Sequence, residues 1–279
     1  MLLEHFEDTY QSVRGEDLYI QGWIPEADNK GVICLVHGLG EHGGRYGGDF
    51  VQMFGQLKFS VVTIDLHGHG KSGGKRGHIS SYEVLMDDID ILLTEAQKKF
   101  SAHLPVFLYG HSMGGNLVLN YALRKDQSLS GLIVSAPWLE METSPPLIKL
   151  LLGFIMSYIW PRFTMGNGID STQLTHEEDI KKEYDKDNLV HDRISARLFM
   201  EVYKAGKWAI KHADELEIPA LILHGTADKI TSIDGSKEFA HKAGKECRFN
   251  ELKGYYHELH NENNKELVFS LIKEWILAI

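Results

Sequence analysis

The chain predicts an α/β fold: a mostly parallel central sheet with helices on both faces, interrupted by a helical insertion. Three observations carry this expectation. Short, almost wholly apolar runs, such as residues 31–36 and 60–64, read as strands buried on both faces, the condition of a parallel sheet. These runs alternate with stretches of helical periodicity, the pattern of strands joined by crossover helices. From about Trp138 to His212 the alternation stops, and Pro145, Pro146 and Pro161 punctuate a stretch that is helical in pattern and lacks strand signals. The expected core is therefore residues 1–137 and 213–279, with residues 138–212 inserted as a cap.

In chain order, Leu18, Ile20 and Trp23 suggest an early strand and an antiparallel opening to the sheet. Residues 31–36 form the first buried strand and run into His37-Gly38-Leu39-Gly40-Glu41-His42. Residues 49–56 can form a short crossover helix before the strand 60–64, which leads to Asp65-Leu66-His67-Gly68-His69-Gly70-Lys71-Ser72. Ser80-Ser81-Tyr82-Glu83 has the form of a capping box for a long helix with Leu85, Ile89, Leu92 and Ala96 on one face. An apolar run follows Pro105, then the elbow motif with its helix, then the strand 131–135. Within the insertion, Thr175-His176-Glu177-Glu178 could cap a helix. Residues 220–223 and 248–252 read as two further strands, and a closing helix runs from about 264 to 279.

Gly110-His111-Ser112-Met113-Gly114 fits G-x-S-x-G, with an apolar strand before it and Leu117, Val118, Tyr121 and Ala122 at helical spacing after it. Strand, tight turn and helix together lift Ser112 out of the sheet near a helix N-terminus, which favours developing negative charge. A serine hydroxyl needs a base, and the base needs a partner that fixes its tautomer. Downstream, Asp228 follows one strand and His257 follows the next, each in a loop at a strand's C-terminal end, where catalytic groups gather in parallel sheets. Asp214 and Asp234 are rivals expected on the helical surface, and His260 is the rival base. A tetrahedral oxyanion needs donors; the amide of Met113 supplies one and the amide of Leu39, between Gly38 and Gly40, supplies the other. His67-Gly68-His69 resembles a metal pair, but Lys71 follows where an acidic ligand would serve, so neither metal nor cofactor is expected.

The 279 residues suit one large α/β domain with an insertion, and 43% hydrophobic residues supply a sizeable core. A net charge of −10, from 29 basic and 39 acidic residues, argues against a nucleic-acid binder. Two cysteines make no disulfide framework and fit a reducing compartment. The N-terminal stretch from Met1 to Glu7 is acidic and lacks the cationic and apolar regions of a signal peptide. No apolar run reaches the roughly 18 residues of a spanning helix, so the expectation is a soluble, cytoplasmic protein.

These motifs resemble those of the monoacylglycerol lipase family of α/β-hydrolases. The resemblance rests on residues 37–42 with Arg45-Tyr46, residues 65–72, Gly110 to Gly115, His224-Gly225-Thr226-Ala227-Asp228 and His257-Glu258-Leu259-His260. Gly168-Ile169-Asp170 and Tyr184-Asp185 extend it into the insertion. It implies a serine hydrolase of fatty-acid esters with Ser112, Asp228 and His257 as triad and the Leu39 and Met113 amides as oxyanion hole. It further implies that Glu41, Arg45, Tyr184 and His260 surround the glycerol end of a small lipid substrate. For Glu41 and Arg45, an ion pair that shapes the oxyanion loop is the competing reading. Leu39 departs from the small residue that many members carry there, which leaves acyl preference open. A lysophospholipase or general carboxylesterase would use the same machinery, and a non-catalytic ligand receptor on the same fold is a more remote alternative.

One stretch of the insertion points to a surface. In residues 147–160, Lys149, Gly153 and Ser157 fall four apart on one stripe, and the remaining arc is apolar, wider than one buried face needs. The segment is too short to span a bilayer. It suits transient contact with a membrane or micelle, or a cap helix buried on most sides.

Overall fold

Eight strands form one sheet in a computed structural model that describes residues 2–26, 28–125 and 129–279; Met1, where the N-terminal stretch begins, lies outside them. The chain opens with β1 (Leu3–Gln11) and β2 (Asp17–Pro25), followed by β3 (Gly31–Val36), α1 (Asp49–Gln56), β4 (Phe59–Ile64) and α2 (Glu83–Lys99). Then come β5 (Val106–His111), α3 (Met113–Arg124) and β6 (Gly131–Ser135). After an excursion through α4 (Leu147–Ile159), β7 (Thr164–Gly166), α5 (Glu178–Lys186), β8 (Arg193–Ser195) and α6 (Ala196–Lys211), the chain returns to the sheet. It ends with β9 (Ala220–Gly225), α7 (Ile233–Ala243), β10 (Cys247–Leu252) and α8 (Lys265–Ile276).

The strand order is β1-β2-β4-β3-β5-β6-β9-β10, antiparallel at β1/β2 and β2/β4 and parallel from β4 to β10. The apolar runs are continuous because each strand feeds two cores. On β3, Val32, Cys34 and Val36 face a core completed by Leu85 and Ile89 of α2 and Leu117 and Val118 of α3. Ile33 and Leu35 face the other, with Phe50 and Phe54 of α1 and Ile272 and Trp275 of α8. Side chains alternate across a strand, so an apolar residue at every position means both faces are covered.

Several local expectations differ from the structure. β1 pairs with β2 over nine residues each, although its outward half is polar and gives no apolar run. Neither suggested capping box forms. α2 begins after Tyr82, and α5 after Glu177, with no side-chain cap on either. The Thr175 hydroxyl donates to the Asn261 carbonyl at 2.7 Å and, among the described residues, accepts only from the Glu177 amide at 3.2 Å, a turn just ahead of the helix rather than a bond into its first turn. The excursion is also not purely helical, since β7 and β8 pair as a two-stranded antiparallel ribbon.

Candidate active site

The parallel strands all point their C-terminal ends at one rim, and the turn after β5 is part of it. Ser112 occupies that turn with φ 53° and ψ −116°. Such backbone costs about 1–3 kcal/mol outside glycine and persists only where the surroundings enforce it. Here the Ser112 amide donates to the Ser135 carbonyl at 3.0 Å, and its carbonyl accepts from Asn116 at 3.0 Å and Trp138 at 2.9 Å. Glycines stand beside it because backbones touch. A Cβ on Gly110 would strike the Gly114 carbonyl, and one on Gly114 would strike the carbonyls of Val36 and His37.

Asp228 and His257 are brought together by the pairing of β9 with β10. His257 Nδ1–H donates to Asp228 Oδ2 at 2.7 Å. Asp228 Oδ1 accepts from the amides of Ile230 at 2.8 Å and Thr231 at 3.1 Å, and the Thr231 hydroxyl lies 2.9 Å from Oδ2. Burial alone would raise the Asp228 pKa. The charge of His257 and the hydrogen bonds of His224 and His257 outweigh it and hold the carboxyl well below its usual range. For His257 burial works downward, and the charge and hydrogen bond of Asp228 reverse it, so the imidazole titrates above its ordinary value. Of the rivals, Asp214 and Asp234 are exposed, as expected.

Ser112, 6% exposed, and His257, 2% exposed, line one small cavity of about 20 Å³ together with Gly38, Leu39, Glu41, Arg45 and Tyr184. No hydrogen bond joins the serine hydroxyl to the imidazole among the described residues, a bond that in ligand-free sites often tightens only with substrate. Among the described residues the amides of Leu39 and Met113 donate to no protein acceptor. Two free amides beside a buried hydroxyl can receive a developing oxyanion.

The cavity's far wall is ionic. Arg45 bonds Glu41 Oε2 at 2.6 Å and grips Glu258 with two hydrogen bonds of 2.6 and 2.9 Å. Glu41 Oε1 accepts from the Gly38 amide at 2.6 Å and the Tyr46 hydroxyl at 2.9 Å, so this carboxylate shapes the turn that presents Leu39. The Tyr184 ring lies under the Arg45 guanidinium, 4.7 Å from its centroid. Burial would lift the Glu258 carboxyl, and Arg45 more than reverses it, holding it well below the usual carboxylate range.

His260 stands one layer further back. It is buried, stacks on Tyr46 with centroids 4.6 Å apart and packs against His111, which does line the cavity. Burial lowers its pKa to about 4, which keeps it neutral. It lies behind the cavity wall rather than on it, unlike Glu41, Arg45 and Tyr184. Thr231, Tyr46 and Glu258 were missed as site residues. Glu258 lies inside a quoted motif beside His257, whereas nothing in the local pattern marks Thr231.

On the other side of Ser112 opens a pocket of about 130 Å³ lined by Leu39, Trp138, Met141, Ile169, Ile194 and Phe199 among others. It shares Leu39, Ser112 and Ile169 with the polar cavity. A larger hollow of about 260 Å³, walled by Phe6, Tyr10, Lys98 and Lys99, lies on the flank of β1 and α2 and contains none of these groups.

Residues 27–264 match the family described as serine aminopeptidase, S33. The chain is 30% identical to monoglyceride lipase of Rattus norvegicus over 251 residues, which is 89% of this chain and 82% of that protein. It is 33% identical over 264 residues to an uncharacterized abhydrolase domain-containing protein of Dictyostelium discoideum, covering 94% of this chain but only 28% of that much longer one. Among solved structures, the monoacylglycerol lipase of Paleococcus ferrophilus is similar with a TM-score of 0.83 and 35% identity, covering 100% of this chain and 99% of that one.

Proposed function

This chain belongs to the monoacylglycerol lipase family of α/β-hydrolases, and we propose that it hydrolyses monoacylglycerols to glycerol and free fatty acid through an acyl-enzyme on Ser112. The observation that carries this reading is the meeting of two unlike walls at one serine: a cluster of polar groups able to hydrogen-bond a diol head group around a small cavity, and a largely apolar pocket suited to the start of an acyl chain. Ser112 attacks the ester carbonyl as His257 Nε2 takes its proton, and Asp228 holds the imidazole in the tautomer that leaves Nε2 free. The amides of Leu39 and Met113 stabilise the oxyanion. His257 then protonates the departing glycerol oxygen, and a water, deprotonated by the same imidazole, releases the fatty acid.

The ionic wall favours an uncharged head group. Two carboxylates, Glu41 and Glu258, flank the single guanidinium of Arg45, so a phosphodiester would meet surplus negative charge there. This argues for a monoacylglycerol over a lysophospholipid. Glycerol hydroxyls, by contrast, can both donate and accept beside these groups. We read residues 138–212 as a cap over a core of residues 1–137 and 213–279, with substrate entering along α4.

Among the described residues no helix is long and apolar enough to cross a membrane. α4 is nonetheless exposed along most of its length, from Leu147 at 84% through Leu151 at 54% to Ile159 at 75%. Its packed stripe is Leu150, Gly153, Met156 and Ser157, laid against α6; Lys149, expected on the stripe of Gly153 and Ser157, is exposed, and most of the large apolar side chains face out. That inverted arrangement suits transient contact with a lipid surface. A hydrolysis panel of monoacyl-, diacyl- and triacylglycerols, lysophospholipids and short esters tests the assignment. Monoacylglycerols should lead it; equal rates on lysophospholipids would reject the argument from Arg45 and its two carboxylates.

A further inference from the structure

His224 is a fully buried histidine in a strand whose sequence is otherwise Ala220-Leu221-Ile222-Leu223 and Gly225. A polar ring among apolar neighbours costs desolvation unless it is hydrogen-bonded, so its partners carry information. Nε2 hydrogen-bonds the Thr231 carbonyl oxygen at 3.3 Å, and Asp228 Oδ2 lies off that N–H axis at 3.2 Å. Both are acceptors, so Nε2 carries the proton. Nδ1, 2.8 Å from Ser236 Oγ, is then the acceptor, and the serine hydroxyl donates to it. Ser236 is itself buried on α7, which packs over β9 and β10. Asp228 Oδ2 therefore sits between two imidazoles: His257 on the cavity side and His224 on the helix side.

We propose that His224 is a positioning residue for Asp228, a second imidazole whose tautomer is set by Ser236 and whose N–H, shared between the Thr231 carbonyl and the carboxylate beside it, orients Asp228 and moderates its pull on His257. The inference rests on the reading of Asp228 and His257 as orienter and base given above. Its sign follows from electrostatics. Each N–H or O–H dipole close to Oδ2 offsets part of the carboxylate's negative charge. Without His224, Asp228 stabilises the His257 imidazolium more strongly, and the base becomes harder to deprotonate. The other titratable groups facing His257 are His111 from β5, Glu258 and His260 from its own loop, and Glu41 from the loop after β3, and none of them changes in the variants below.

The test is the pH profile of kcat/KM on a short p-nitrophenyl ester for wild type, His224→Leu, His224→Gln and Ser236→Ala, with Ser112→Ala as the blank. His224→Leu should lower kcat about ten-fold with little change in KM and move the acid limb upward by about half a pH unit. His224→Gln, whose amide nitrogen reaches the same place, should recover most of both. Ser236→Ala should shift the limb the same way by less, and add little on top of His224→Leu. Superimposed acid limbs with only a lower Tm would overturn the proposal, as would a glutamine variant no better than leucine. Should His224→Leu not fold, a wild-type limb in Ser236→Ala overturns it alone. Activity surviving in Ser112→Ala is a different result, and strikes at the triad reading rather than at His224.

Discussion

The two compartments that meet at Ser112 are built on opposite physics. On the polar side every charged group is committed: Arg45 is shared by Glu41 and Glu258, and Glu41 also holds the Gly38 amide and the Tyr46 hydroxyl. On the more apolar side Leu39, Trp138, Met141, Ile194 and Phe199 form the larger part of a wall that also includes Asn167, Gln173 and Lys229. Removing one partner of a buried ion pair leaves an uncompensated charge, whereas apolar side chains of similar volume interchange for less than about 1.5 kcal/mol. The difference teaches that the polar wall is rigid and cannot be retuned one residue at a time. The apolar wall can, so on the proposed function acyl preference is the property open to adjustment.

The largest expected effect breaks both sides at once. Ser112→Ala should lower turnover of every ester by several powers of ten, leaving the residual rate that binding and oxyanion donors supply. Steady-state assays on a monoacylglycerol and a p-nitrophenyl ester check this, and comparable rates on either would remove Ser112 as nucleophile. Next comes the polar wall alone. Arg45→Met leaves two buried carboxylates facing each other and should destabilise the protein by about 3–5 kcal/mol, read by denaturant unfolding. A change under about 1 kcal/mol would mean the pair is solvated in solution.

Acid sharpens the same contrast. His37 and His260 are buried, and burial lowers both to about 4, below the ordinary imidazole value. His37 is locked neutral, with one ring nitrogen on the Gly38 carbonyl and the other accepting from the Leu66 amide. A depressed histidine binds its proton first in the unfolded chain. Stability is therefore full above about pH 6.5 and falls as pH drops toward about 4, by about 1.4 kcal/mol per unit for each such group. Tm should decline steadily over that window; a flat Tm down to pH 5 contradicts the burial.

Two smaller effects separate the sides. Leu151→Glu on the exposed arc of α4 forfeits roughly 1.5–3 kcal/mol of apolar contact with lipid, about ten-fold or more in affinity. Liposome binding and long-chain turnover should fall while a short soluble ester and Tm stay unchanged; equal impairment on both would identify a structural helix. Glu41→Gln should cost a few-fold on both a monoacylglycerol and a p-nitrophenyl ester, because the carboxylate shapes the Leu39 turn that both reactions use. A loss confined to the monoacylglycerol would assign Glu41 to the head group instead.

Much of the sheet was legible because strands buried on both faces leave uninterrupted apolar runs, as in residues 31–36. β1 was not, because an edge strand with polar residues on its outward half has no such run. The serine, aspartate and histidine could be proposed from order alone, since each follows a strand end. The supporting groups could not. Thr231 reaches Asp228 only through the turn that follows β9, and Glu258 meets Arg45 across 213 residues. Local pattern also could not show that the Thr175 hydroxyl reaches a distant partner, the Asn261 carbonyl. The stripe of Lys149, Gly153 and Ser157 on α4 was readable, but that Gly153 and Ser157 pack inward while Lys149 is exposed depended on α6.

The central claim, that Ser112 is the nucleophile of a monoacylglycerol hydrolase, is tested most directly by mapping a long-chain fluorophosphonate adduct by mass spectrometry in the presence and absence of a monoacylglycerol. The account predicts a single adduct on Ser112, slowed by monoacylglycerol in proportion to its occupancy and abolished in Ser112→Ala. An adduct on any other residue, or labelling of Ser112 that monoacylglycerol does not slow, contradicts it.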